Sequence, residues 1–586
     1  MGASTSHRGG RPMIMCTRGV VTSCHYLATE AGMHILRSGG NAFDAAAAVG
    51  FALTVLEPHQ NGMGGEVPIV LYSASERAVH AVSGNGTAPA SATIELYRSI
   101  GVGDAIPGDG YLPSIVPPVP DTWVTLLTRF GTMSLADVLR PALELAERGF
   151  PMHDSLHESI RGSVQRFATQ WPTSAHKFLR DGAAPAVGSV WRQPALAAMF
   201  RKLIEAESAG KSREAGLRAA RDRFYKGDIA ADIVAFAASN PVRDATGQEH
   251  AGLLTTDDFA AFSALVERPV SVDYKGCEVH KCSSWTQGPV LCQSLRLLEG
   301  FPLAQMGHNS ADYIHTVVEC MKLAFADREF HYGDPEFADV PFDLLLSKEY
   351  ATERRALVNP ARASMDLRPG GHEPIRAHGI RDVLAVFGAH PEGDTTKLEV
   401  ADFEGNMVSA TPSGGWLMSS PVIPGVGFPL GTRGQMFSMV EGHPNSLQPG
   451  KRPRATLTPS LATRDGRPWM AFGSPGGDSQ DQWGLEFFLN VVEFGMSLQE
   501  AVEAPMFFSA HWPNSFYPRA AEPGVMYVEG RIPDDVRIAL QGRGHMVKTE
   551  GNWQGPSTLA ATFDAEHHVL MAAASPRRDS SYAMGW

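Results

Sequence analysis

The first feature of this chain that could do chemistry is a short stretch, Gly393-Asp394-Thr395-Thr396, between an irregular segment and a strand-like one. If a strained peptide bond broke between Asp394 and Thr395, a new N-terminal threonine would result. That residue would carry a hydroxyl nucleophile and an α-amine with an ordinary pKa of about 8, which can serve as general base. Taken alone, Asp-Thr-Thr before a strand is far more often a capped turn followed by a β-former.

The elements that must position this junction are predicted to be helices before it and strands after it. Small and apolar residues recur at helical spacing over residues 28–56, and Gly39-Gly40-Asn41 predicts the end of one helix and the capped start of another. A strand is predicted at 67–72. Further amphipathic helices are predicted within 132–265, and another helix is predicted at 310–328 with Ser310 as its cap.

The pattern changes after Thr395. Alternating residues predict strands at 395–401 and 407–411, joined by the turn Glu404-Gly405-Asn406, and further strands at 470–473, 559–563 and 569–574. The stretch 360–391 is rich in Pro, Gly, Arg and His, and we interpret it as a mobile loop. Helices followed by a strand-rich region indicate an α+β fold.

Composition excludes several function classes. The formal net charge of -13 and the absence of a Lys/Arg run argue against nucleic acid as a partner. The apolar stretch 42–56 is interrupted and falls short of the roughly 20 residues that span a bilayer, so no membrane association is expected. The polar start lacks a secretory signal, and six cysteines without a CxxC pair favour a reduced, cytoplasmic location.

Several separated motifs resemble the γ-glutamyltranspeptidase family. They are Gly39-Gly40-Asn41-Ala42-Phe43-Asp44-Ala45, Gly62-Met63-Gly64-Gly65, Tyr313-Ile314-His315, Ala324-Phe325-Ala326-Asp327-Arg328, Gly333-Asp334-Pro335, Gly393-Asp394-Thr395-Thr396, Gly405-Asn406, Gly473-Ser474-Pro475-Gly476-Gly477-Asp478 and Ser575-Pro576-Arg577-Arg578-Asp579. Each motif is weak alone. Their order and spacing are together highly specific, and they span nearly the whole chain.

The resemblance implies a four-layer αββα sandwich of the N-terminal-nucleophile hydrolase type. It implies self-cleavage into fragments 1–394 and 395–586, which associate in one intertwined catalytic unit with Thr395 as nucleophile. The backbone N–H groups of Gly476 and Gly477 would then stabilise the oxyanion. Ser413 falls where the family usually has a threonine that supports the nucleophile, although a turn with a solvated hydroxyl explains it equally well.

The residues that would hold a γ-glutamyl head group differ from the family pattern. Asn85 stands in place of the usual carboxylate-binding arginine, and a bidentate clamp is lost. Gln435 lies near the position of the acidic residue that pairs with the substrate ammonium group, and Ala455-Thr456 replaces a serine pair. A free γ-glutamyl zwitterion is therefore not the expected acyl donor.

Two arginines are candidates for binding a carboxylate placed differently. Arg433 and Arg454 could each pair with such a group, for example in oxamate or in a glutaryl amide. For Arg454, a solvated surface charge is an equally good explanation.

A metal site is not expected. His315 and Glu319 are four residues apart, as in a metal-binding helix pair, but the sequence places no third ligand beside them, and helix packing explains them better. No cofactor is expected either.

The predicted function is hydrolysis or acyl transfer on a small, non-γ-glutamyl amide. One alternative is a genuine γ-glutamyltransferase or glutathione hydrolase. Another is an unprocessed, non-catalytic relative that acts as a binding protein, although Thr395 and the Gly476-Gly477 turn are both intact. Pairing of processed units into a homodimer stays open.

Overall fold

The computed structural model describes residues 10–372, 375–376 and 395–586. Asp394 and much of the predicted loop at 360–391 lie outside the described residues.

Two seven-stranded sheets form the centre of the fold. The first sheet has the spatial order Tyr582–Gly585, Gly19–Ser23, Leu398–Asp402, Met407–Ala410, Ile69–Ser73, Ala78–Val82 and Val266–Glu267. The second has the order Ile14–Cys16, Val569–Ala574, Leu559–Asp564, Arg467–Gly473, Ser460–Arg464, Cys277–Lys281 and Val270–Tyr274. The strand pairs within both sheets are antiparallel.

Side chains alternate between the two faces of each sheet, which places the layers. In the strand Leu398–Asp402, Leu398 and Val400 belong to a core shared with helices such as Tyr26–Arg37 and Ala42–Leu56. Ala401, on the opposite face, belongs to a core between the two sheets. In the second sheet, Leu559 faces the same inter-sheet core. Its neighbour Ala560 faces a core shared with helices such as Pro289–Leu298 and Ala311–His331. The result is the predicted four-layer αββα sandwich, which combines helices and sheets as an α+β fold.

Helices cover the outer face of each sheet. The described helices that precede the strand Val270–Tyr274 are Tyr26–Arg37, Ala42–Leu56, Ile94–Ser99, Val119–Phe130, Leu135–Arg148, Asp154–Gln170, Pro172–Phe178, Pro194–Ser208, Arg213–Tyr225, Asp228–Ser239 and Thr256–Ala261. Those later in the chain are Pro289–Leu298, Leu303–Met306, Ala311–His331, Phe342–Leu345, Lys348–Arg355, Gln480–Val492, Leu498–Glu503 and Asp534–Gly542.

Smaller sheets lie outside the sandwich. A three-stranded sheet contains Phe507–Ser509, Val525–Glu529 and Met546–Glu550, and two-stranded pairs join Asp366–Leu367 with Ile375–Arg376, Phe150–Pro151 with Val190–Trp191, and Val242–Arg243 with Glu249–His250. Among the described helices, none combines the length and apolar character needed to cross a bilayer. All six cysteines are free thiols.

Candidate active site

Thr395 lies at the start of the strand system in the middle of the first sheet. It forms an isolated antiparallel bridge with Ser413, just before the strand Leu398–Asp402, and its side chain is 0% exposed. The neighbouring Thr396 donates its backbone N–H to Pro412 O at 2.9 Å. The segment that contains the predicted nucleophile is therefore held inside the sandwich as an extended strand.

Both functional groups of Thr395 have polar partners. Its backbone nitrogen donates to Gln60 Oε1 at 3.1 Å, and its Oγ1 lies 3.2 Å from Ser413 Oγ. Ser413 is fully buried, so its hydroxyl is not the solvated group of a surface turn. The pair brings together the two predicted hydroxyls, and it adds Gln60, which the sequence analysis did not single out.

A second set of contacts fixes the backbone next to Thr395. Thr396 Oγ1 donates to Glu57 Oε2 at 2.5 Å, and the Arg578 guanidinium reaches Glu57 Oε1 at 3.4 Å and Gln60 Oε1 at 3.2 Å. Arg578 belongs to the Ser-Pro-Arg-Arg motif near the end of the chain. It thus links that motif to the residue that accepts from the Thr395 nitrogen.

Arg433 faces the site and is bound by a glutamate. Its Nη2 donates to Ser413 Oγ at 3.0 Å and to Glu66 Oε2 at 2.9 Å, and its Nε donates to the same oxygen at 3.1 Å. The Arg433 and Glu66 side chains are 1% and 0% exposed. Burial raises the pKa of Glu66, although the adjacent Arg433 opposes this effect.

Glycines allow two loops to pack closely around Ser413. A Cβ on Gly65 would lie 2.1 Å from Ser413 O, and one on Gly414 would lie 2.1 Å from Glu66 Oε2. Gly414 also has a φ of 72°, which side chains rarely adopt. The turn motif at 62–65 is therefore required for the close approach of Glu66 to Ser413.

The Gly476-Gly477 turn lies at the end of the strand Arg467–Gly473. A Cβ on Gly473 would lie 2.5 Å from Lys397 Cε, so this strand end packs against the segment that follows Thr395. Gly476 and Gly477 have φ values of 130° and 55°, and a Cβ on Gly477 would lie 3.2 Å from the Phe516 ring. Phe516 in turn stacks over Arg433, with its ring centroid 5.7 Å from the guanidinium carbon.

Arg454 and Asn85 are buried near each other but already have protein partners. Arg454 donates to Glu329 Oε1 at 2.7 Å and to Arg328 O at 3.0 Å, and Asn85 donates to Pro453 O at 2.6 Å. Burial opposes ionisation of Glu329, but Arg454, Arg328 and Arg519 outweigh it and lower the Glu329 pKa to about 2. Arg454 is therefore not a solvated surface charge.

Gln435 and Thr456 are also buried. Gln435 Nε2 donates to Gly108 O at 3.2 Å, and its Oε1 accepts from Tyr517 N at 3.0 Å. The Thr456 hydroxyl has no hydrogen-bond partner within the part of the chain that the structure describes. Among the described residues, neither side chain is hydrogen-bonded to Thr395.

His315 and Glu319 meet a third residue, His545. Their potential ligand atoms lie within 4.8 Å of one another. However, the Glu319 carboxylate already accepts from Lys322 at 2.7 Å and from Arg368 at 3.2 Å, and His315 Nδ1 is hydrogen-bonded to His545 at 2.8 Å. Two protein cations already pair with this carboxylate, so the cluster is electrostatically unfavourable for a metal ion.

Comparisons with known proteins agree with this arrangement. The family model of Gamma-glutamyltranspeptidase matches residues 28–585. The chain belongs to this family. Like the relatives named below, it is an enzyme of the amidohydrolase and acyltransferase type.

Three relatives are similar over nearly the whole chain. The Glutathione hydrolase-like YwrD proenzyme of Bacillus subtilis (strain 168) is 32% identical, over 97% of this chain and 98% of its own. The solved structure of LmbA2991HD is 45% identical with a TM-score of 0.93, covering 98% of this chain and 100% of that one. The cephalosporin acylase from Bacillus halodurans is 30% identical with a TM-score of 0.84, covering 100% and 99%.

Four residues at the site were missed by sequence reasoning: Glu57, Gln60, Glu66 and Arg578. Glu66 follows directly after the Gly62-Met63-Gly64-Gly65 turn, and Arg578 lies within a motif that was noticed. The available signal was a charged residue directly after a glycine-rich turn. Its partner could not be identified, because Arg433 lies 367 positions away from Glu66.

Proposed function

We propose that this protein is a self-cleaving amidohydrolase or acyltransferase whose nucleophile is Thr395, freed by cleavage after Asp394. The observation that carries the proposal is the pair of contacts at Thr395, with its nitrogen at 3.1 Å from Gln60 and its hydroxyl at 3.2 Å from Ser413. A hydroxyl nucleophile and the nitrogen that would become its base are thus both held in place.

The chemistry follows from these positions. After cleavage, the α-amine would keep Gln60 Oε1 as its acceptor, and Arg578, 3.2 Å from that oxygen, would favour the neutral amine that a general base must be. As Thr395 Oγ1 bonds to the acyl carbon, its proton passes to the α-amine. We infer that the Gly476 and Gly477 N–H groups receive the oxyanion, and that the protonated amine then gives its proton to the leaving group.

We further propose that the acyl group lacks the zwitterionic γ-glutamyl head. Asn85 and Gln435 carry no charge, and Arg433 and Arg454 are each paired with a buried glutamate. A substrate ammonium and carboxylate would therefore compete with existing ion pairs for partners, at a cost of several kcal/mol. A small amide with another acyl group fits better, and the similar cephalosporin acylase agrees with such a substrate.

A γ-glutamyl donor is the second candidate, because another similar protein is named glutathione hydrolase-like. The two substrates can be separated directly. We expect a higher kcat/KM for a glutaryl, oxamyl or simple acyl anilide than for the γ-glutamyl anilide. The reverse order would support the γ-glutamyl candidate.

The nucleophile is tested by intact mass and activity of the wild-type protein and a Thr395→Ala variant. We expect the wild type to give fragments 1–394 and 395–586, and the variant to stay uncut and inactive. Thr411→Ala is the matched control, since Thr411 is buried in the same strand region without a hydroxyl partner among the described residues. Cleavage and turnover by Thr395→Ala would exclude this mechanism.

A further inference from the structure

We propose that Glu66 and Arg433 are positioning residues that act through Ser413 to orient the hydroxyl of Thr395 and to stabilise it as an alkoxide. The inference rests on the proposed function, in which Thr395 is the nucleophile. It assigns a role to an ion pair that neither touches the reacting atoms nor is exposed enough to bind substrate charge.

The direction of the hydrogen bonds is the first argument. Thr395 Oγ1 and Ser413 Oγ are 3.2 Å apart, and either hydroxyl could donate. Arg433 Nη2, at 3.0 Å from Ser413 Oγ, can only donate. Ser413 accepts from the guanidinium, and in the processed enzyme its hydroxyl can donate to Thr395 Oγ1, where negative charge develops as Thr395 loses its proton.

Glu66 holds both ends of this arrangement. Its carboxylate accepts from Arg433 Nε and Nη2 at 3.1 and 2.9 Å. Its backbone exchanges two hydrogen bonds with Ser413, from Glu66 N to Ser413 O at 2.7 Å and from Ser413 N to Glu66 O at 2.9 Å. One residue therefore fixes the position of the Ser413 hydroxyl and the guanidinium that polarises it.

Aromatic rings hold the guanidinium on its other sides. Its central carbon lies 5.8 Å from the Trp416 ring centroid and 5.7 Å from that of Phe516. The remaining nitrogen, Nη1, has a contact of 3.7 Å to the Met436 sulfur. Arg433 is thus oriented by the protein, which suits a fixed donor better than a clamp for a substrate carboxylate.

The charges around Thr395 allow a test that distinguishes this role from a purely structural one, because a purely structural role would not change the pH profile. Among the described residues, the charged groups near the Thr395 hydroxyl and nitrogen are Glu66 and Arg433 on one side and Glu57 and Arg578 on the other. Lys397 is paired with Glu399 farther along the strand. Glu66→Gln keeps the shape but leaves the guanidinium uncompensated. The added positive charge disfavours protonation of the α-amine.

The experiment measures kcat/KM against pH for purified, processed enzyme. For Glu66→Gln we expect the acidic limb of the kcat/KM profile to move to lower pH, by on the order of one unit. For Arg433→Met we expect kcat to fall on the order of 100-fold with a smaller change in KM, because a transition-state donor is lost. Arg433→Lys should restore part of kcat. The double variant Glu66→Gln with Arg433→Met removes both charges and should return the acidic limb to its wild-type position.

The control is Arg221→Met, which removes a guanidinium from the buried Asp121. Among the described residues, this ion pair shares no hydrogen bond with Thr395, Ser413, Glu66 or Arg433. The control variant should leave the acidic limb in place. An unmoved limb in Glu66→Gln, or an unchanged kcat in Arg433→Met, would overturn the inference. If the Glu66→Gln and Arg433→Met precursors both fail to mature, the kcat of Arg433→Lys is the test. It should be about 10-fold below the wild-type value, and an unchanged kcat would contradict the inference.

The two proposals fail in different ways. A Thr395→Ala variant that still turns over substrate removes the proposed function. An inactive Thr395→Ala variant combined with a wild-type pH profile for Glu66→Gln removes only the role of the Glu66 and Arg433 pair.

Discussion

Glu486 shows how one buried carboxyl group can set a pH limit on stability. It lies in the helix Gln480–Val492, is 2% exposed, and accepts a hydrogen bond from Phe507 N at 3.1 Å. Its other oxygen has no hydrogen-bond partner among the described residues. Burial raises the pKa of Glu486 well above its ordinary value, against the weaker opposing effects of Phe507 N–H and Arg577.

We predict that Glu486→Gln reduces the loss of stability at high pH. A carboxyl whose folded pKa is raised stabilises the fold below its unfolded pKa of about 4.5, and this contribution falls as pH rises toward the folded pKa. The slope in that window is about 1.4 kcal/mol per pH unit for one fully shifted group. Urea unfolding between pH 5 and 8, in uncut Thr395→Ala protein, measures the difference.

The exposed Glu353 in the helix Lys348–Arg355 provides the comparison. Glu353→Gln should leave the pH dependence of the unfolding free energy as in the parent protein. Equal slopes for Glu486→Gln and its parent would show that Glu486 does not carry this effect.

At the site, the sequence could identify residues that belong to motifs but not their partners. Thr395, Ser413 and the Gly476-Gly477 turn follow from order and spacing along the chain. Gln60, in contrast, contacts Thr395 across 335 positions of sequence. Polar residues do not follow a hydrophobic period that would show which face they occupy. Arg433 could therefore be proposed for the site, but its partner Glu66 could not.

At the scale of elements, the Gly-Gly-Asn-Ala-Phe-Asp motif is structural. Asn41 caps the helix Ala42–Leu56 in a capping box with Asp44, which confirms the predicted cap. The Asp44 carboxylate also accepts from Thr132 N, Thr132 Oγ1 and Met133 N, at distances between 2.7 and 3.1 Å. It therefore fastens a fully buried helix to the loop before the helix Leu135–Arg148.

We predict that Asp44→Ala lowers the free energy of unfolding by about 3 kcal/mol, because several buried donors lose their acceptor together. Urea unfolding of uncut Thr395→Ala protein measures this. Asp137 occupies the same first-turn position in the helix Leu135–Arg148, but its side chain is 50% exposed. Asp137→Ala should cost about 1 kcal/mol or less, and equal losses for both would contradict the buried role of Asp44.

Two predicted elements match the structure closely, and one of them is a helix buried on all sides from Tyr313 to Glu329. The predicted helix at 310–328 is observed as Ala311–His331, with Ser310 as its cap, and the predicted strand at 569–574 is observed as Val569–Ala574. Outer strands such as Val242–Arg243 are too short to show a hydrophobic alternation, and they were not predicted. The stacking of two sheets came from the resemblance, because periodicity alone does not say which strands pair.

At the scale of the whole molecule, each sheet contains strands from both sides of the proposed cleavage site. In the first sheet, the strand Leu398–Asp402 pairs with Gly19–Ser23, and Met407–Ala410 pairs with Ile69–Ser73. In the second, Ser460–Arg464 pairs with Cys277–Lys281. The fragments would therefore share backbone ladders and both hydrophobic cores on either side of the first sheet.

We predict that cleavage leaves the molecule in one piece. Processed protein should elute in size-exclusion chromatography at the same volume as uncut Thr395→Ala protein, and the fragments should separate only under denaturing conditions. Elution of the 395–586 fragment by itself in native buffer would contradict this prediction.

The interleaving of strands also has a genetic consequence. If the fragments arise from one folded precursor and cannot leave it, a cell that makes two variants of the precursor should contain no unit with one fragment from each. Two precursors with different defects would then not restore each other's activity by exchanging fragments.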